Sequence, residues 1–196
     1  MDRMVQTALN SLKMMMENQA ATAHNLANVN TPGFKQDVAI DFSSIYLNKG
    51  QGIEPRIVSS RNTGGFSIEQ GQMENTGNPM DVSINNFGYF IIQPKDGNLA
   101  YSRRGDLQVG EDGILLDGAG NTMLSEGLEP IEIPPYKTIT ISPEGQIFIK
   151  PIGGDEGAPP ILVALLANSV PEENIKLKKT IDGQIRGFTV NADGED

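Results

Sequence analysis

Residues 2–34 constrain the fold most: a long helical repeat that runs into a sequence no helix can cross. Val5, Leu9, Leu12, Met16, Ala20, Ala23 and the pair Leu26-Ala27 recur at intervals of three and four, and Ala8 and Met15 widen the stripe. That is the period of an amphipathic helix, and neither Gly nor Pro interrupts it for about seven turns. Asp2, Arg3, Gln6, Asn10, Lys13, Glu17 and Asn28 fall on the other, watery side. A helix of about 40 Å, at ~1.5 Å per residue, needs a surface to lie against.

The stop is written several times over in Asn28-Val29-Asn30-Thr31-Pro32-Gly33-Phe34. Asn28 and Asn30 tolerate left-handed backbone angles at a helix end. Thr31 precedes proline and is pushed out of the helical region, and Pro32 has no amide hydrogen to give. Pro32-Gly33 then suits the centre of a type II turn, with positive φ at Gly33.

With 196 residues the chain is long enough for one compact domain plus an appendage. Fifteen Lys and Arg against 25 Asp and Glu leave a formal charge of −10. The basic residues are scattered, and Arg103-Arg104 and residues 176–179 are too short to grip a phosphate backbone, so nucleic acid is not an expected partner. Gly and Pro make up about one residue in six, as a fold with many tight turns requires. The absence of cysteine excludes disulfides, thiol nucleophiles and cysteine metal sites. Asn10, Lys13, Glu17 and Asn18 break up any leader-like apolar core, so no cleaved signal peptide is expected. No stretch of eighteen apolar residues is present, and membrane insertion is not expected either.

Three parts follow from the pattern: residues 1–34 as helix and stop, 35–75 as an extended arm or linker, and 76–196 as a β domain. In the arm, Val38, Ile40, Phe42, Ile45 and Tyr46 alternate loosely before residues 48–52 break the pattern; 53–62 and 66–73 read as extended pieces. From residue 76 the reading is clearly β. Residues 80–85 alternate, 87–92 read as a buried strand, and 107–109 with 114–116 flank a Gly-Glu-Asp-Gly turn. Residues 138–141 and 146–149 form a second hairpin about Pro143-Glu144-Gly145, and the apolar run 161–166 reads as a central strand. Short strands spaced about ten residues apart predict a mainly β fold, a β-sandwich or distorted barrel of antiparallel strands with an N-terminal amphipathic helix.

Catalytic chemistry finds little footing. His24 is the single histidine and lies on the helix, away from any cleft that β residues would build, so a Ser-His-Asp arrangement or a zinc site is not expected. Asp112-Gly113 and the run 117–121 offer carboxylates and carbonyls at alternate positions, which suits calcium, but the spacing is not that of an EF-hand and hairpin turns explain both. No glycine-rich spot ends in Gly-Lys-Ser/Thr. Arg104-Gly105-Asp106 spells an adhesion tripeptide, a pattern short enough to recur by chance. No catalytic residue, cofactor or metal is expected, and the chain reads as a non-enzyme.

The run Asn25-Leu26-Ala27-Asn28-Val29-Asn30-Thr31-Pro32-Gly33-Phe34-Lys35 resembles the N-terminal signature of the bacterial flagellar axial family, the rod, hook and hook-associated proteins. Thr76-Gly77-Asn78-Pro79-Met80-Asp81-Val82-Ser83-Ile84 with Gly88-Tyr89-Phe90, and then Tyr101-Ser102-Arg103-Arg104-Gly105-Asp106, are similar to later family segments in the expected order. Met1-Asp2-Arg3 and Thr31-Pro32-Gly33 resemble the proximal rod members more than the distal rod or hook. The resemblance implies a structural subunit of the basal-body rod that polymerises through its N-terminal helix into a hollow, torque-transmitting axle. It implies as partners other copies of the chain, neighbouring proximal and distal rod proteins, and the flagellar export apparatus during secretion. It implies a place in the periplasmic rod, reached without a cleaved signal peptide. The partner-binding residues are then the stripe Val5, Leu9, Leu12, Met16, Ala20, Ala23 and Leu26, with Asn25, Asn28, Thr31, Pro32, Gly33 and Phe34 of the signature. Met4, Met14, Met15, Met16 and Met73 are expected as adaptable contact residues. Family members close with a second long helix beside the first. This chain reaches residues 194–196 without one, as expected of a shortened chain or part of a longer one. The competing expectations are a distal rod or hook subunit and, from another class, an extracellular β domain that binds calcium or glycan.

Overall fold

The computed structural model describes residues 2–38, 44–46, 57–59, 65–85, 87–153, 158–172, 175–180 and 183–189. The chain divides into two compact units, one of Met1–Thr31 with Lys35–Ser67, the other of Pro32–Phe34 with Ile68–Asp196.

The first unit is built on α1, Asp2–Ala27, whose 26 residues match the apolar period. Its end differs from expectation. Leu128 is the one described residue other than glycine with positive φ, so Asn28 and Asn30 do not take left-handed angles. The last turn tightens instead: the Asn28 amide still reaches His24 O at 3.2 Å, while the Val29 amide bonds Leu26 O at 3.4 Å, three residues back. That narrowing, followed by Pro32, is how the helix stops.

Beyond the turn two antiparallel pairings are described. Asp37 bridges Phe66, and β1 (Ser44–Tyr46) pairs with β2 (Ile57–Ser59). Ser44 lies seven positions after Asp37 and Ser59 seven before Phe66, so the two pairings have matching offsets. The expected break at 48–52 and most of the expected extended piece 53–62 lie outside the described residues. Residues 68–79, expected in part as a strand, have no regular structure and are exposed.

The second unit is mainly antiparallel β. Its larger sheet contains β3 (Tyr89–Gln93), β4 (Ala100–Ser102), β5 (Leu107–Val109), β6 (Leu115–Asp117), β7 (Thr122–Met123), β11 (Asn168–Ser169), β12 (Ile175–Lys179) and β13 (Ile185–Thr189). The order is β12-β13-β4-β3-β7-β6-β5, and β11 shares one side of β3 with β7. A smaller sheet runs β10-β9-β8, from Ile161–Leu165, Gln146–Pro151 and Tyr136–Ile141. Alternation does its work here: Phe90, Ile92, Leu115 and Met123 of one sheet and Ile139, Ile147 and Ile149 of the other share one buried core with Leu107, Ile131 and Leu166.

Two expectations are corrected. Both sheets are open, so no barrel closes. The apolar run 161–166, taken for a central strand, forms the edge strand β10, with Ile161 and Leu162 exposed. Continuous hydrophobicity reports burial only when something lies on both sides of the strand. Residues 190–196, at the end of the expected β domain, lie outside the described residues, as do 154–157 of the loop before β10.

Candidate assembly surface

On α1 the apolar stripe lies in solvent. Val5, Leu9, Leu12, Met16 and Leu26 are 64, 63, 56, 65 and 72% exposed, and Ala20, Ala23 and Met15 are exposed as well. Met14 is 5% exposed, while Ser11, Asn18, Ala21, Asn25 and Asn28 are half-buried. At about 100° per residue these two sets occupy opposite faces of the helix. The chain covers the face centred on Met14, leaves Asn10 and Lys13 of the polar side exposed, and leaves the apolar stripe to solvent. Met14 therefore corrects the expectation that it joins Met15 and Met16 on a contact surface; Met4's side chain lies outside the description.

The signature's polar residues are engaged within the first unit. Asn25 Oδ1 accepts from the Asp37 amide at 2.8 Å, and Asn25 Nδ2 donates to the Asp37 carbonyl at 2.9 Å. Beside it, His24 Nδ1 lies 2.6 Å from Asp37 Oδ2. Backbone bonds flank the Asp37–Phe66 bridge: the Ser67 amide donates to Gln36 O at 2.9 Å and the Val38 amide to Gly65 O at 3.0 Å. Asn28 Nδ2 donates to His24 O at 3.0 Å, satisfying a carbonyl at the helix end, and Thr31 Oγ1 reaches Asn28 Oδ1 at 3.3 Å. Asn25, Asn28 and Thr31 thus shape a corner. Asp37 was not among the expected site residues, because a backbone twelve residues from Asn25 becomes a neighbour only when the chain doubles back.

Pro32–Phe34 belong to the second unit although residues of the first flank them. Gly33 takes φ +69°, as the Pro-Gly turn requires, and a Cβ there would collide with the Arg103 carbonyl. Lys179 Nζ of β12 sits 4.2 Å from the Phe34 ring centroid, a cation–π contact. Arg103 donates from Nη1 to Ile84 O at 2.8 Å and lies over the Tyr89 ring. Burial pushes the Tyr89 phenol above its ordinary pKa, and Arg103 opposes the shift. Arg103 and Lys179 were not among the expected site residues, because Gly33 and Phe34 meet them only across a long stretch of chain.

The remaining polar motifs of the second unit are self-contained. Thr76 Oγ1 and Asn78 Nδ2 donate to the Asp81 carboxylate at 2.6 and 2.8 Å, knotting the turn ahead of the Asp81–Asp106 bridge. That bridge is what remains of the strand expected over 80–85. Arg104 and Asp106 of the adhesion-like tripeptide form a two-point ion pair at 2.7 and 2.8 Å, which raises the Arg104 pKa. The buried Asp117 accepts from the amides of Ala119 and Asn121 and from Asn121 Nδ2, all at 2.9 Å. Its oxygens face N–H donors, the arrangement of a turn. Among the described residues no three His, Asp or Glu gather as metal ligands.

Residues 6–35, α1 and its corner, match the family model of flagella basal body rod proteins. Residues 83–149, most of both sheets, match that of the flagellar hook protein FlgE/F/G D1 domain. The flagellar basal-body rod protein FlgF of Salmonella typhimurium is 32% identical in an alignment that covers 100% of this chain and 75% of that protein. The chain belongs to the flagellar rod and hook protein family. FlgF of Escherichia coli is 32% identical across 75% of this chain and 57% of its own length. FlgG of Borreliella burgdorferi is 30% identical across 76% of this chain and 61% of its own. One family model lies over the helix and signature, the other over most of the β core.

Proposed function

We propose that this chain is a structural subunit of the flagellar basal-body rod, of the proximal FlgF type, and that it assembles through the apolar stripe of α1. The observation that carries the reading is the exposure of Val5, Leu9, Leu12, Met16 and Leu26 on a helix whose opposite face is covered. A stripe of large apolar side chains in water marks a surface meant for another molecule. Each of these side chains, once fully buried, contributes about 1.5–3 kcal/mol, enough together to hold a helix bundle. Copies of the chain and neighbouring proximal and distal rod proteins bury one another's stripes around a central channel, with Ala20 and Ala23 allowing close approach. Head-to-tail repetition of one contact gives a helical tube, and the β domain stiffens its outside. In the three-part division of the chain, residues 1–34 bind partners, 35–75 form the arm, and 76–196 form the wall.

The proximal assignment over the distal rod and hook leans on the FlgF alignment, which runs the length of this chain. The subunit reaches the periplasmic rod through the flagellum's own export apparatus without a cleaved leader. It performs no catalysis; its chemistry is packing.

The test replaces Leu9, Leu12 and Met16 with glutamate in cells whose own copy is deleted. The variant is expected to be made and folded, with rods ending at the proximal segment and motility lost. Normal rods and swimming with all three charges in place would remove the stripe from assembly.

A further inference from the structure

We propose that Asn25 is a positioning residue that decides which face of α1 the rest of the chain covers, holding the face of Ser11, Met14, Asn18 and Asn25 inward so that the apolar stripe stays open. This rests on reading α1 as an assembly helix. By burial alone, a segment returning past the helix gains most by lying on Val5, Leu9, Leu12, Met16 and Leu26. The returning chain carries apolar groups of its own, Val38 and Phe66. Yet Met14 and its polar neighbours are what the chain covers. A directional interaction has to select that side.

Asn25 supplies it. Its carboxamide presents an acceptor and a donor side by side, and both meet the backbone of Asp37, at 2.8 and 2.9 Å. A two-point hydrogen bond with set lengths and angles fixes rotation about α1 as well as distance. Rolling the returning chain onto the stripe leaves the Asp37 amide and carbonyl to find other partners, and buried backbone groups are rarely left without them. The same two bonds hold Asp37 at its bridge with Phe66. Asn25 thereby sacrifices burial within one molecule and reserves it for contact between molecules. The His24–Asp37 side-chain contact sits beside the latch and is not its source, because Asn25 holds the backbone of residue 37 and not its carboxylate.

The chain contains no cysteine, so single thiols report each face without interference. Met16→Cys places one on the stripe and Met14→Cys one on the covered face. In the otherwise native chain the thiol at 16 is expected to react with a maleimide more than about tenfold faster than that at 14. Asn25→Asp keeps one acceptor, loses the donor and faces a carbonyl with charge; Asn25→Leu removes both hydrogen bonds. Each is expected to bring the two rates within about threefold. Asp37→Asn is expected to leave the contrast intact. If Asn25→Asp melts α1 by circular dichroism, Asn25→Leu, the better helix former, carries the test. The proposal is overturned by equal rates in the native chain, by a contrast that survives both Asn25 variants, or by its loss in Asp37→Asn. In cells, Asn25→Leu with an intact stripe is expected to lower rod completion. Should Leu12→Glu build normal rods while the thiol contrast behaves as described, the assembly reading fails and the latch stands. Should Leu12→Glu block rods while Asn25→Leu does not, the latch has no part in assembly.

Discussion

The two units use hydrophobic residues in opposite ways. In the β unit Ile92, Leu115, Met123 and Ile147 are wholly buried, and the two open sheets close over them. In the helical unit Val5, Leu9, Leu12, Met16 and Leu26 of α1 point to water, and only Met14 is fully covered among its described side chains. The β unit gains stability from its own side chains; the helical unit leaves its apolar stripe in water. One chain can therefore carry a finished core and an unfinished one, and burial, not hydropathy, tells them apart.

The largest expected effect breaks or confirms that contrast directly. Leu115→Ala, at a site with no exposure, is expected to cost about 2–5 kcal/mol in thermal or urea unfolding. Leu12→Ala, the same deletion on the helix, is expected to shift the isolated chain by no more than about 0.5 kcal/mol. Equal losses at the two positions would erase the distinction between the units.

Next in size is the signature turn. Gly33→Ala meets both a left-handed backbone, worth about 1–2 kcal/mol, and the Arg103 carbonyl. Gly77→Ala has a similar φ of +74° with open space around it and carries the backbone cost alone. Urea unfolding of the pair isolates the collision. If both variants lose the same amount, the turn is not seated as tightly as the structure has it.

A smaller comparison sets a turn in the β unit against the corner of the helical one. Asp117→Ala leaves the amides of Ala119 and Asn121 without their acceptor inside the fold, an expected loss of about 1–3 kcal/mol. Asn28→Ala removes a cap at a half-exposed helix end and is expected to cost about 1 kcal/mol or less. A reversed ranking would mean that the corner, and not the sheet turns, limits stability.

The smallest effects are electrostatic. Hydrogen bonds from Asn98, side chain first and then backbone, and the Arg186 guanidinium hold the Asp96 carboxyl below its ordinary range. Its contribution to stability is present above the unfolded carboxylate value of about 3.9 and fades as pH falls through the lower folded value. Asp96→Asn is expected to flatten the acid limb of a stability–pH curve slightly. Tyr89 is raised, so its contribution holds below pH about 10 and is lost as pH climbs through the folded value; Tyr89→Phe should remove that alkaline loss.

Much of the architecture was legible in advance. The three- and four-residue spacing of Val5 through Leu26 foretold α1, and the turns after Val109 and Ile141 foretold two hairpins that pair as β5–β6 and β8–β9. The open edges were not legible. Ile161 to Leu165 is uniformly apolar, and its place at a sheet edge depends on which strand pairs with β9. The strand expected over 80–85 failed for a related reason: its alternation is real, but its partner meets it at a single bridge.

By itself, the sequence determined what could be settled locally: a helical period, the proline that ends it, glycines at the turns, and a signature that places the chain among flagellar rod and hook proteins. Tertiary structure decided which face of α1 is covered, that Asn25 grips Asp37, and that Gly33 and Phe34 rest on Arg103 and Lys179. Periodicity names the two faces of a helix, but the choice between them comes from hydrogen bonds and contacts with residues that meet only after the chain has folded back.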